Sequence, residues 1–190
     1  MKNIVIFGAP GSGKGTQSDK IIAEYGLAHI STGDVLRAEI KADTELGKTA
    51  AQYINDGKLV PDSLIIDMLA GVLDAQGKDI NGVIFDGFPR TIAQAEALND
   101  MLKERGEKVS VVIGLEVNDE ELINRIIARG KTSGRSDDTV ETAKKRLDTY
   151  YAQTLPLKDF YMKEGKYAKI NGVGSIDSIY AEIKKAIDSI

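Results

Sequence analysis

The chain has 190 residues, 42% of them apolar and 28% charged, with 25 Lys and Arg against 29 Asp and Glu for a net charge of −4. That length supports one sizeable core, and the composition excludes disordered and low-complexity classes. The acidic balance argues against non-specific nucleic-acid binding; zero cysteines exclude disulfides, thiol nucleophiles and thiolate zinc sites, and a single histidine excludes a His-rich metal centre. No apolar run reaches membrane-spanning length, and the short run after Met1-Lys2 leads straight into glycines. A cytoplasmic protein without membrane contact is therefore expected.

Ile4 to Phe7 is a continuous apolar run that reads as a strand buried on both faces, the mark of a parallel sheet. Gly8 to Thr16 follows as a glycine-rich turn, then a helix to about Tyr25 that stops at Gly26. A short strand is expected near Ala28 to Ile30, and residues 31–60 read as a mostly helical insert. Leu64, Ile65, Met68, Leu69, Val72 and Leu73 recur at helix spacing after Pro61 and Asp62. Val83 to Phe85, ending in Asp86, is a second buried strand, and Ile92, Ala95 and Leu98 begin another helix. Val109 to Val117 predicts a strand, and Leu122, Ile123, Ile126 and Ile127 a helix.

Residues 130–137 form a polar loop bracketed by Gly130 and Gly134. The next helix is predicted to start at Asp138, with Glu141 as its capping-box partner and Val140, Ala143, Leu147 and Tyr150 as its apolar face. A weaker strand over Lys166 to Ile170 and a helix over Ser178 to Ile187 close the chain. Tyr150, Tyr151, Phe160 and Tyr161 read as core or hinge packing. The alternation predicts an α/β fold with a central parallel sheet between helical layers.

GAPGSGKGT, Gly8 to Thr16, satisfies the first glycine and the Gly-Lys of the P-loop pattern, in the required place between strand and helix. Glycines let successive backbone N–H groups curl around phosphate oxygens, the helix N-terminus adds a favourable dipole, and Lys14 adds a full charge. Gly15 stands where Ser or Thr usually follows the lysine, and Thr16 comes one later. Asp86, at a strand's end, suits Mg²⁺ held through water.

A P-loop identifies a phosphate site, not a reaction. Three further motifs follow in order: Ser31-Thr32-Gly33-Asp34-Val35-Leu36-Arg37, Asp56-Gly57-Lys58-Leu59-Val60-Pro61-Asp62, and Asp86-Gly87-Phe88-Pro89-Arg90-Thr91. Together they make the chain resemble the nucleoside monophosphate kinases, the adenylate kinase family in particular, over nearly its whole length. The resemblance implies a P-loop NTPase-type core (1–30, 61–129 and 138–190), a nucleoside monophosphate-binding insert (31–60) and a short lid (130–137). It implies Mg²⁺-dependent, reversible transfer of the ATP terminal phosphate to AMP, giving two ADP, in nucleotide homeostasis and AMP salvage, by a monomer. Longer relatives carry an inserted lid domain, sometimes zinc-bound; the length and lack of cysteine here imply a short lid without zinc.

Carried over by motif, Gly11, Ser12, Gly13, Lys14, Gly15 and Thr16 bind ATP, with Arg129 and with Gly174 approaching its base. Thr32, Arg37, Lys58, Leu59, Val60, Gly87, Phe88, Pro89, Arg90, Gln94, Arg135 and Arg146 bind AMP. Lys14, Arg90, Arg129, Arg135 and Arg146 spread transition-state charge, and Asp137 and Asp138 orient the lid arginines. Seven basic residues stand against three acidic ones from Arg125 to Arg146, a basic stretch in an acidic chain. AMP's phosphate is already anionic, so no general base is required, and His29 is read as a packed or surface residue without catalytic part. A UMP/CMP kinase is the nearest alternative; Thr32 and Gln94 favour AMP. A GTPase switch is disfavoured because no Asn-Lys-x-Asp motif occurs.

Overall fold

The N-terminal apolar run forms the central strand β1 (Lys2–Gly8) of a five-stranded, all-parallel sheet. In a computed structural model, which describes residues 1–77, 79–135 and 137–190, the sheet continues through β2 (Ala28–Ser31), β3 (Gly82–Asp86), β4 (Val111–Glu116) and β5 (Tyr167–Asn171). Ser136, part of the expected lid loop, lies outside the described residues. The spatial order is β2-β3-β1-β4-β5. Ile4 pairs in register with Ile84 on one side and Val111 on the other. The chain winds one way from β1 to β2 and the other way from β3 to β4. The crevice this leaves at the C-terminal ends of β1 and β3 is where open α/β sheets bind ligands.

Strand periodicity assigns the two faces. Ile4 and Ile6 point into a core with Ile21 of α1 (Lys14–Tyr25) and Ile179, Ile183 and Ile187 of α9 (Ile176–Asp188). Val5 and Phe7 point the other way, onto Leu69 and Leu73 of α4 (Asp62–Ala75) and Leu98 and Leu102 of α5 (Ile92–Glu104). Leu157 and Tyr161 of α8 (Pro156–Lys163) complete that layer. The result is the expected three-layer α/β fold of P-loop NTPase type.

The insert is two helices, α2 (Thr32–Lys41) and α3 (Glu45–Asn55), capped by Ser31 and Thr44 hydroxyls that accept from Asp34 and Gly47 N–H. α6 (Asp119–Ser133) and α7 (Val140–Thr149) flank the polar loop. Ala9, at the start of the glycine turn, packs with Leu122 of α6 and Leu147 of α7, so these helices are anchored directly to that turn.

Several boundaries differ from expectation. α6 runs through Gly130 and ends at Gly134, which shortens the polar loop. α7 is capped by Thr139, whose hydroxyl accepts from Thr142 N–H, and not by Asp138. The reason is electrostatic: the Asp138 carboxylate is taken by arginines. With the start shifted, Val140 is exposed rather than part of the apolar face. After α7 the chain makes one π-helical turn, Tyr150–Thr154, closed by Leu155 N–H to Tyr150 O at 2.8 Å. α8 was not foreseen, and α9 starts two residues early because Ser175 supplies its cap.

Candidate functional site

The glycine turn binds through its backbone. Gly11 and Gly13 hold φ of 83° and 96°, a conformation that side chains rarely adopt. Gly13 is the N-cap of α1 and offers no side-chain cap, so the first N–H groups of the helix face the cleft. Lys14 Nζ donates to Gly8 O at 2.9 Å and Ala9 O at 3.1 Å, which folds the lysine over the loop. Desolvation pulls its pKa down to about 7; Asp86 opposes the drop, while Arg90, Arg146 and Arg129 reinforce it. The buried Ser12 Oγ has no hydrogen-bond partner among the described residues.

Two cavities meet in front of this loop. The first is walled by Gly11, Gly13, Lys14, Gly15, Thr16, Asp86, Arg125 and Arg129. The second is walled by Thr32, Leu36 and Arg37 of α2, by Lys58, Leu59 and Val60, and by Gly87, Pro89 and Gln94. Lys14, Arg37, Arg90, Arg135 and Arg146 line both and so mark the junction.

Each wall has a local cause. Gly87 O, just past β3, accepts from Thr32 Oγ1 at 2.8 Å and from Arg90 Nε at 2.7 Å, which fixes α2 and Arg90 on one carbonyl. Arg37 pairs with Asp34. The buried Gln94 is oriented at both ends: Oε1 accepts from Arg90 N–H at 2.8 Å and Nε2 donates to Asp62 Oδ1 at 2.8 Å. One N–H and one lone pair of its amide remain for a ligand.

The lid arginines come with their own counter-ions. Arg129 grips Asp138 bidentately at 2.8 and 2.6 Å, and Arg135 grips Asp137 at 3.0 Å on both oxygens. Arg146 reaches Asp137 at 3.2 Å and Asp138 at 3.3 Å, and Ser133 Oγ donates to Asp138 at 3.0 Å. Burial works against ionisation of both carboxylates. The hydrogen bonds and charge of Arg135 and Arg146 at Asp137, and of Arg129 at Asp138, outweigh it and hold both below the usual range. Desolvation, with Arg135, Arg90 and Arg129 nearby, lowers Arg146 to about 10 despite Asp137.

Some expected residues stand elsewhere. The Phe88 side chain is buried in the core, so its neighbours rather than its ring face the cavity. Gly174, on the β5–α9 loop, is in neither cavity wall. Lys58 pairs with Asp56 at 3.2 Å at the exposed rim. His29 has a partner the sequence did not suggest: its Nε2 lies 3.8 Å from Asp86 Oδ2, and the pull of that carboxylate raises its pKa against desolvation. Arg125 was also missed; it reaches Gly172 O at 3.1 Å from the wall of the first cavity, and its position one helical turn before Arg129 was the available signal. Among the described residues no group of three or more His, Cys, Asp or Glu could hold a metal, and no helix is long and apolar enough to cross a membrane.

Positive charge converging from separate elements onto the mouth of a P-loop is the arrangement of an enzyme that moves phosphoryl groups, and the protein is of that class. Comparison with other proteins narrows it. The sequence profile of the adenylate kinase family matches residues 6–166. Proteins named adenylate kinase from Bacteroides thetaiotaomicron and Parabacteroides distasonis are 64% and 63% identical over 190 residues, spanning all of both chains. One from Porphyromonas gingivalis is 55% identical over 188 residues, 99% of this chain and 96% of its own. The chain belongs to the adenylate kinase family.

Proposed function

We propose that the protein transfers the terminal phosphate of ATP to AMP, reversibly giving two ADP, and so balances adenine nucleotides and salvages AMP. The observation that carries this reading is the shared wall of the two cavities. Lys14, Arg37, Arg90, Arg135 and Arg146 line both, so a donor triphosphate and an acceptor monophosphate would meet among five basic side chains. Phosphoryl transfer needs alignment and charge neutralisation more than covalent chemistry. The glycine loop and Lys14 would hold the donor phosphates, with Arg129 beside them. Arg90, Arg135 and Arg146 would draw the acceptor phosphate into line. That acceptor is already anionic, so the residues need move no proton.

The base reading rests on Gln94. Its remaining N–H and lone pair match the acceptor ring nitrogen and donor amino group of adenine. Thr32, Arg37 and the Lys58–Val60 segment would enclose the nucleoside. Phe88 supports that wall from the core, and Gly174 would lie toward the donor base.

Mg²⁺ suits the donor side: Asp86 and Thr16 both line that cavity, and one carboxylate with a hydroxyl fits an ion that keeps several waters and takes phosphate oxygens. Asp86 would hold it through water. When bound, the ion neutralises charge on the donor phosphates. The reading includes action as a monomer.

The test is ADP formation from Mg-ATP with AMP, CMP, UMP, GMP or no acceptor. The expected outcome is turnover with AMP far above the others. Turnover mainly with UMP or CMP would overturn the acceptor assignment, and acceptor-independent ATP hydrolysis would overturn the kinase reading.

A further inference from the structure

The insert and α7 meet at one turn. Gly57, which follows α3, holds φ of 71°, and a Cβ added there would meet Lys145 Cβ at 2.9 Å and Arg146 N at 3.3 Å. The turn therefore lies with bare backbone against α7. From the last position of that helix, Thr149 Oγ1 donates to Gly57 O at 2.9 Å. The turn is also closed on itself, with Gly57 N–H to Ile54 O at 3.0 Å and Lys58 N–H to Tyr53 O at 2.9 Å, so it is held as a unit.

Thr149 and Arg146 are three residues apart and share a helix face. Both line the acceptor cavity, as do Lys58, Leu59 and Val60 immediately after the bonded glycine. One helix thus carries the arginine placed for the acceptor phosphate and the hydroxyl that holds the segment placed for its nucleoside. We propose that Thr149 is a positioning residue that latches the Gly57 turn onto α7 and so sets the Lys58–Val60 backbone at a fixed offset from Arg146. The latch rests on the reading that the second cavity takes AMP. Its effect belongs to acceptor binding, because Gly57, Lys58, Leu59, Val60 and Thr149 line the second cavity and not the first. Without the hydroxyl, AMP must order the turn as it binds, and its affinity falls by the contribution of one neutral hydrogen bond, about fivefold.

Thr149→Val keeps the branched shape and removes the donor; Thr149→Ser keeps the donor. The expected result for Thr149→Val is a KM for AMP raised about fivefold, with KM for ATP held and the serine variant close to wild type. Equal shifts in both KM values, no shift, or a serine variant no better than valine would overturn the latch. Hydrogen exchange at the Gly57 and Lys58 amides, measured without nucleotide, reads how firmly the latched turn is held, because their bonds to Ile54 O and Tyr53 O open more readily once the turn leaves α7. Exchange should quicken in Thr149→Val and recover in Thr149→Ser; unchanged exchange overturns the proposal. Should the wild-type chain not use AMP, the assay counts against the proposed function while the exchange result still decides the latch.

Discussion

Between Gly8 and Thr16 the groups placed for phosphate are main-chain N–H groups and one lysine, consecutive in sequence and aimed by backbone conformation. Between Arg90 and Arg146 they are guanidinium groups from four separate places: the β3–α5 loop, α6, the polar loop and α7. Among the described residues no counter-ion lies within hydrogen-bond reach of Lys14, whose Nζ rests on two carbonyls. The lid arginines are held bidentately by Asp137 and Asp138. The difference shows two ways to preorganise a phosphate site. Backbone dipoles are fixed by the turn itself, whereas mobile cations need carboxylates to hold them in place until phosphate arrives.

The largest effect should come from breaking the loop half. Lys14→Met removes the one basic side chain there, and turnover should fall at least ~100-fold, the scale of losing one preorganised electrostatic group. The fold should survive, since the lysine sits desolvated in the free protein. Its pKa falls from 10.5 unfolded to about 7 folded, so the unfolded chain binds more protons between those values. Folding stability contributed by this group therefore rises with pH across that window. Thermal denaturation should show wild type gaining on Lys14→Met as pH goes from 7 toward 10; a constant gap would contradict the desolvation.

Breaking the arginine half should cost stability as well as rate. Asp138 has a fully buried side chain and faces Arg129, Arg135 and Arg146. Asp138→Asn leaves those cations undercompensated, a loss toward the lower end of roughly 3–5 kcal/mol because Arg129 retains solvent contact. Both lid carboxylates have depressed folded pKa values, so the stability they confer is present above the unfolded value of 3.8 and is lost as pH falls through the lower folded ones. Urea midpoints below pH 4 should fall more steeply for wild type than for Asp138→Asn.

A smaller change sharpens the contrast within the acceptor cavity. Gln94→Leu strands the Arg90 N–H and removes one donor from Asp62, while the phosphate arginines stay in place. KM for AMP should rise about tenfold, the scale of an unsatisfied buried polar group. The preference for AMP over CMP should shrink with it. An unchanged preference would show that the amide holds Arg90 and does not read the base.

What the sequence discloses follows the same division. The glycine loop is contiguous, so its chemistry and its place between strand and helix were readable together. The sheet was readable because Ile4 to Phe7 and Val83 to Phe85 are unbroken apolar runs, as strands covered on both faces must be. The partners of the arginines were named from motif likeness, but their pairing was not derivable, because Arg129 of α6 meets Asp138, just before α7, only once the chain has folded back across the polar loop. His29 against Asp86 and Thr149 against Gly57 join elements distant in sequence and leave no local pattern. The π-turn at Tyr150–Thr154 adds one residue to a helix period, which aromatic spacing alone does not reveal.

The start of α7 is where the two kinds of information conflicted, and it yields the smallest prediction. Asp138 followed by Glu141 has capping-box spacing, yet Thr139 is the cap, with its hydroxyl accepting from Thr142 N–H at 3.1 Å. A carboxylate in reach of three guanidinium groups gains more from them than from a helix N–H, since charge-assisted hydrogen bonds are roughly twice as strong as neutral ones. The neighbouring hydroxyl then takes the cap. Thr139→Ala should therefore cost ~1 kcal/mol of stability, a cap's contribution, and leave both KM values near wild type. Asp138→Asn should disturb rate and stability together. If Thr139→Ala were silent in stability, the helix would begin at the acidic residue and the division of labour between two adjacent side chains would be wrong.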